Sequence, residues 1–222
     1  MTTLGLETAE AIGGAALWGD SGLLMEQLLD APLQHAEQLV PAVNGLLASC
    51  SVGRQDIERI AVNQGPGSFT GLRIGLSTAK GLCQALQVPL VGVEATVAYR
   101  ARADEGARVC VILQDRRDRY YVQRFSGDKP LAAVRVWSRQ ELVDRLLTVR
   151  SREVVIGSGV ASLRDALEEI AIRSGGLVEI GSEALTCPSP ATIARLGHEA
   201  PAGDALFDLE PTYVEPVLAR SM

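Results

Sequence analysis

With 222 residues, 47% of them hydrophobic and 22% charged, the chain can bury a normal core and has room for one large domain or two small ones. A formal net charge of −6 argues against a free-standing nucleic-acid binder, because neutralising phosphates needs a basic face. Cys50, Cys83, Cys110 and Cys187 are far apart, and with only two histidines present they read as reduced thiols and not as a zinc site.

The opening "MTTLGLETAEAIGGAALWGD" has no basic start and carries Glu7 and Glu10 early, so no leader peptide is expected. No apolar run reaches about 18 residues, so no membrane span is expected, and the expected location is the cytoplasm. Within this opening, "TTLGLETA" and "GGAALWGD" are short β-type runs joined by a turn. "GLLMEQLLDA" extends them to a three-strand antiparallel meander. From His35 to Cys50 the period becomes helical. "DIERIAVNQG" is a strand ending in a glycine loop, "SFTGLRIGLSTAKGLCQAL" a helix, "VPLVGVE" a buried strand and "ATVAYRARA" a short helix.

Around Asp104 to Ala107 the text turns polar and a second series begins. "RVCVILQD" and "YYVQRFS" form a hairpin, with "AAVRVW" as a third strand. "SRQELVDRLL" is a helix with Ser138 at its N-cap and Glu141 three residues on, a capping box. Then follow "EVVIGSG" (strand), "VASLRDALEEIAIRS" (helix), "LVEIGS" (strand) and "SPATIARLGHEA", a helix with Pro190 near its first position. The series restarts, so two α/β lobes are expected, at residues 1–104 and 105–222.

The glycine loop is the densest motif. Gly65, Gly67 and Gly71 free the backbone around Pro66, and Ser68 is placed to cap the next helix. A helix start attracts anions. A phosphate loop, however, ends in G-K-[ST], and this one ends Thr70-Gly71-Leu72-Arg73. A tight strand-to-helix turn and an anion cradle both remain open.

At about 100° per residue, Arg73, Ser77, Lys80 and Gln84 share one polar stripe of the following helix, and the rest is apolar or small over roughly 200°. Within that arc Gly71, Gly75 and Ala79 fall four apart, with Leu82 on the same side. Small residues at this spacing admit a close helix neighbour, either within the chain or on a partner. The preceding helix is also broad-faced: Leu39, Val40, Val43, Leu46, Leu47 and Cys50 occupy about 100° of it, and His35 and Ala42 extend that arc. Pro41 removes one internal N–H. Two helices with more apolar surface than one lobe needs point to a patch awaiting a partner. The partner-facing residues expected are Leu39, Val43, Leu46, Gly71, Gly75, Ala79 and Leu82.

"NQGPGSFTGLRIGLSTAKGL" resembles the G-P-G-S-F-T-G-x-R-I-G segment of the TsaB (YeaZ) family of tRNA threonylcarbamoyladenosine biosynthesis subunits. "QHAEQLVPAVNGLL" is similar to that family's H-T-x-x-L-x-P-x-I helix, with Ala36 in place of Thr. "LGLET" resembles its first strand and "PTYVEP" its ending. The resemblance is dense over residues 1–100. It implies an actin-like/Hsp70-like (ASKHA) two-lobed fold with ribonuclease H-like lobes. It also implies a non-catalytic subunit that pairs with a catalytic paralogue, TsaD, in an assembly with the ATPase TsaE. That assembly places threonylcarbamoyl on N6 of adenosine 37 in tRNAs that read ANN codons. Contact with tRNA would come through the complex. In isolation, monomer and homodimer both remain open.

In the catalytic paralogue an H-x-x-x-H pair binds metal just after a Val-Pro strand. With "VPLVGVEATVAYRA" as the landmark, those positions are Ala95 and Tyr99, so neither a metal nor any other cofactor is expected. Glu7 stands where actin-like ATPases carry Asp. "VILQDRRDRYY" resembles the family's I-D-A-R-x-x-E-V-Y, with Gln114 at the acidic position, Asp115 displaced by one and Arg119 in place of Glu. This Arg-rich hairpin reads as a solvated edge or as one facing RNA or a partner. An actin-like ATPase or kinase active on its own is the competing function. No protease motif appears.

Overall fold

The computed structural model describes residues 1–29, 35–115, 118–201 and 208–214. Arg116 and Arg117 of the Arg-rich segment, the His35 side chain and the end of "PTYVEP" lie outside the described residues. The chain divides into two compact units, one of residues 1–98 and 188–211, the other of residues 99–187 and 212–222.

In the first unit β1 (Thr3–Glu7), β2 (Gly13–Gly19) and β3 (Gly22–Leu29) form the antiparallel meander, and β4 (Arg59–Gly65) and β5 (Leu90–Glu94) add in parallel, giving the order β3-β2-β1-β4-β5. Strand alternation sorts the side chains by size. Leu4, Leu6, Ile60 and Val62 point to a core shared with α1 (His35–Ser49) and α2 (Phe69–Leu86). The other face carries small residues and receives α6 (Pro190–Glu199), whose Ile193 packs with Ala61, Val91 and Val93. The fit is close: a Cβ on Gly5 would stand 2.7 Å from Ala194 Cβ. Glu26 on β3 holds the start of α6 by accepting from Ala191 N at 2.8 Å and Ser189 Oγ at 3.1 Å. A linear boundary near residue 105 would assign α6 to the second lobe, whereas its contacts place it on the first sheet.

Short α3 (Ala95–Arg100) follows β5. In the second unit β6 (Arg108–Gln114) and β7 (Arg119–Ser126) make the hairpin. β8 (Lys129–Pro130) and β9 (Arg135–Ser138) both pair with β7, and β10 (Glu153–Ile156) and β11 (Val178–Ile180) add in parallel beyond β6. The order β11-β10-β6-β7, with β8 and β9 outermost, repeats the arrangement of the first sheet. One sheet face, with Cys110, Ile112, Tyr120 and Val122, is covered by α4 (Arg139–Leu146) and α5 (Gly159–Arg173). The capping box on α4 is formed: Ser138 Oγ accepts from Glu141 N at 3.2 Å, and Glu141 Oε2 accepts from Ser138 N at 3.0 Å. Pro190 stands at the start of α6, with Ser189 as its N-cap.

Candidate functional site

The glycine loop leaves β4 at Gly65, whose φ of 107° is a left-handed conformation that favours glycine, and passes through a cis Gly65–Pro66 bond. It is tied down by the end of β1. Asn63 accepts from Gly65 N at 2.8 Å and donates to Glu7 Oε2 at 2.6 Å. Glu7 Oε1 accepts from Ala9 N at 2.7 Å, and Ser68 N donates to Ala9 O, also at 2.7 Å. One residue along, Thr8 Oγ1 donates to Gly71 O at 2.7 Å.

Glu7 is therefore a buried clamp. Burial pushes its carboxyl up to about 8, Glu10 adds like-charge repulsion, and the hydrogen bonds from Asn63, Ala9 and Thr8 pull the other way. Burial thus favours its protonated form.

The glycines serve this packing. A Cβ on Gly67 would stand 2.6 Å from Ala9 O. On Gly71 it would overlap Thr8 O, and on Gly75 it would overlap Thr8 Oγ1. The loop is a tight turn pressed against the β1–β2 connection, and α2 starts with Ser68 Oγ accepting from Gly71 N at 3.3 Å.

This geometry decides which way the small-residue stripe faces. Gly71, Gly75 and Ala79 are buried against the unit's own β1 and β4, and Leu39, Val43 and Leu46 lie in the same core. Leu82 is half-buried against that core. These seven residues face internal packing, Leu82 at its half-buried margin, because the sheet and the neighbouring helix take the Gly71-to-Leu76 side of the arc and leave the Thr70–Ile74–Gly81–Ala85 side outward. The outward face is different. On α2 it holds Thr70, Ile74, Gly81 and Ala85, an uncharged row beside the Arg73–Ser77–Gln84 stripe. On α1, packed beside α2, it holds Glu37 in the first turn and then Val40 (44% exposed), Pro41, Asn44 and Ala48. Gly81 meets open space. The sequence signal for this face was the charge-free run from Gln38 to Ser49 on α1, overshadowed by the stronger apolar arc.

The other candidate positions are equally definite. Ala95 and Tyr99 are buried, at 1% and 2% exposure. Among the described residues no group of three or more His, Cys, Asp or Glu is gathered as a metal site. Gln114 is exposed at the end of β6, and Asp115 is engaged by Arg119 at 2.8 Å and by the Tyr121 hydroxyl at 3.3 Å. Among the described residues no helix is long and apolar enough to cross a membrane.

Two mixed sheets of matching strand order, each flanked by helices, with a glycine loop leading from the strand beside β1 into a helix, define an actin-like α/β protein. Solved structures agree on the fold. YeaZ from Pseudomonas aeruginosa is similar with a TM-score of 0.73 at 22% identity, covering 96% of this chain and 99% of that one. The activator of the 2-hydroxyisocaproyl-CoA dehydratase from Clostridium difficile, solved with bound ADPNP, is similar with a TM-score of 0.55 at 10% identity, covering 90% and 95%. Residues 30–133 match the TsaD family model, described as tRNA N6-adenosine threonylcarbamoyltransferase. The tRNA threonylcarbamoyladenosine biosynthesis protein TsaB of Bacillus subtilis (strain 168) is 30% identical over 219 residues, 96% of this chain and 94% of that protein. TsaB of Escherichia coli (strain K12) is 33% identical over 132 residues, 58% of this chain and 57% of that protein. The chain belongs to the TsaB family.

Proposed function

We propose that this chain is a non-catalytic subunit in tRNA threonylcarbamoyladenosine formation, acting by docking on a TsaD-like catalytic paralogue. The observation that carries the reading is the outward face of α1 and α2, where Val40 is exposed, Gly81 is unobstructed and α1 carries no charge from Gln38 to Ser49. A helical face of mostly small, uncharged residues suits another helix pair, which can approach closely with few ions to desolvate. The assembly so formed, with a TsaE-like ATPase, would transfer threonylcarbamoyl to N6 of adenosine 37 in tRNAs reading ANN codons. Without the paralogue, the same face is open to a second copy of the chain.

Two features support a subunit that leaves the chemistry to its partner. Gly71 O and Ser68 N of the glycine loop are taken by Thr8 and Ala9, the Glu7 carboxyl by Ala9 and Asn63, and Gln114 replaces an acid in the second unit. The positions matching the paralogue's metal ligands are the buried Ala95 and Tyr99.

The test is association of the purified chain with the catalytic paralogue from the same source. Gly81→Leu adds bulk on the outward face without an internal clash. It should leave the chain folded and weaken association by about 1–3 kcal/mol, roughly 5- to 150-fold. Unchanged affinity would move the interface elsewhere. Stoichiometric turnover of ATP by the chain alone would favour the competing actin-like ATPase.

A further inference from the structure

Charge is spread unevenly over this chain. Of its 21 lysines and arginines, 16 fall in the second unit, with 14 acids, while the first unit holds five cations and 13 acids. Part of the second unit's positive charge lines one edge of its sheet. Along the outer side of β7, Lys129 lies opposite Ser126, Arg135 opposite Val122, and Ser138 opposite Arg119, with Arg139 directly after. At about 3.3 Å per residue, Lys129, Arg135 and Arg139 follow one another roughly 13 Å apart. Arg145 stands about one and two-thirds turns further along α4.

These four side chains are exposed, and among the described residues none lies within salt-bridge distance of a carboxylate. Of the acids nearby, Glu141 is held by the Ser138 cap and attracted by Arg145, Asp144 is held by Gln140 at 2.9 Å, Asp115 by Arg119 and Asp128 by Arg100. Exposed Asp118 lies beside Arg139, whose N donates to the Asp118 carbonyl at 3.0 Å. Half-buried Trp137 holds the Arg145 guanidinium 4.7 Å above its ring, which orders that cation in advance. Arg124 also faces Trp137, at 5.9 Å, but it is committed to the buried Glu153 at 3.3 Å and is not part of the row.

A row of cations with no salt bridge among the described residues, spaced over some 26 Å, matches a polyanion and not a compact anion. We propose that this edge, built from Lys129, Arg135, Arg139 and Arg145 around Trp137, binds the sugar–phosphate backbone of tRNA. The inference rests on the reading that the chain works in tRNA modification, but it concerns a surface of the second unit, whereas the paralogue-docking face lies on the first. With a net charge of −6 the chain binds weakly by itself, and the edge adds phosphate contacts to those its partner makes.

The purified full-length chain is titrated with a fluorescein-labelled transcript of a tRNA that reads an ANN codon, at 50 and 200 mM salt. Wild type should bind measurably at the lower salt, with affinity falling steeply at the higher. The Lys129→Ala/Arg135→Ala/Arg139→Ala variant should bind about tenfold or more weakly, and the slope of log K against log salt should shrink by roughly two, at about 0.7–0.9 per lost phosphate contact. Arg54→Ala/Lys80→Ala in the first unit should change neither. Arg135→Gln alone, expected to weaken binding about threefold, keeps the test decisive if the triple variant does not fold.

Absence of wild-type binding at 50 mM salt, or equal affinity and equal slope in folded variants, overturns the proposal. Retained tRNA binding together with lost paralogue binding also overturns it, making the edge a protein-docking surface. Edge cations guard against strand-to-strand aggregation as well. If aggregation is the sole change, with tRNA affinity per folded chain intact, that guarding role replaces the proposal. Loss of paralogue binding by Gly81→Leu is read independently, so the docking reading and this one fail separately.

Discussion

Glu7 shows how one residue can be placed correctly by its sequence position and still do different work. Its place at the end of β1 suits a magnesium-positioning carboxylate, but the structure closes Asn63, Ala9 and Thr8 around it and buries it. The consequence is a pH dependence of known sign. The unfolded chain releases this proton near 4.5, while the folded chain keeps it until about 8. Between those values the folded state binds the extra proton. Glu7's contribution to stability is full below 4.5 and is lost as pH rises through 8, at up to about 1.4 kcal/mol per pH unit. Glu7→Gln should carry a constant penalty, because its amide nitrogen cannot accept from Asn63, but it should lack this slope. Urea titrations at pH 5.5 and 7.5 measure it. Parallel pH profiles for wild type and variant would show that Glu7 does not titrate in this window. None of this was legible beforehand, since burial of a carboxyl depends on what the fold stacks above it, and Asn63 gave no periodic signal.

At the scale of elements, caps and periods were legible and neighbours were not. Ser68, Ser138 with Glu141, and Pro190 mark helix starts by chemistry confined to one turn, and each stands where that chemistry puts it. The Gly71–Gly75–Ala79 stripe was equally visible, but a stripe of small residues records only that something comes close. Here that something is Thr8, so Gly75 and Gly81 on α2 should behave oppositely. Gly75→Leu should destabilise the isolated chain by about 3 kcal/mol or more, seen as a lower urea midpoint at unchanged m-value. Gly81→Ala should stabilise it by about 0.5–1 kcal/mol, because an exposed helical glycine gains propensity without a clash. On α1, Val40→Asp should leave the chain folded and weaken paralogue binding by about 2 kcal/mol, roughly 30-fold, through a charge buried without a partner. A folded, stable Gly75→Leu chain would mean that α2 is turned differently from the packing described.

For the whole molecule, the return of α6 matters most. The sequence shows a helix at residues 190–199 and a second strand series starting near residue 105, and local pattern cannot tell which sheet a late helix covers. The matching of small residues can: Gly5 faces Ala194, and Gly197 faces Ala61 so closely that a Cβ on Gly197 would overlap the Ala61 methyl. Arg59 on β4 then holds the far end of α6, donating from Nη1 to Gly197 O at 2.8 Å and Ala200 O at 2.7 Å. Without α6 the first sheet would expose the side of Ala61, Val91 and Val93. A fragment of residues 1–104 should therefore fail to unfold cooperatively in urea and should aggregate, although it contains both helices of the proposed docking face. A single chain joining residues 1–98 to 188–211 through a flexible Gly/Ser linker should unfold in one transition and retain binding to the catalytic paralogue within about threefold, near 0.7 kcal/mol. Cooperative unfolding of the 1–104 fragment, with an m-value appropriate to its size, would show that α6 is dispensable to the first unit. Failure of the joined chain to bind, although folded, would instead require the second unit for docking and would relocate the interface from α1 and α2.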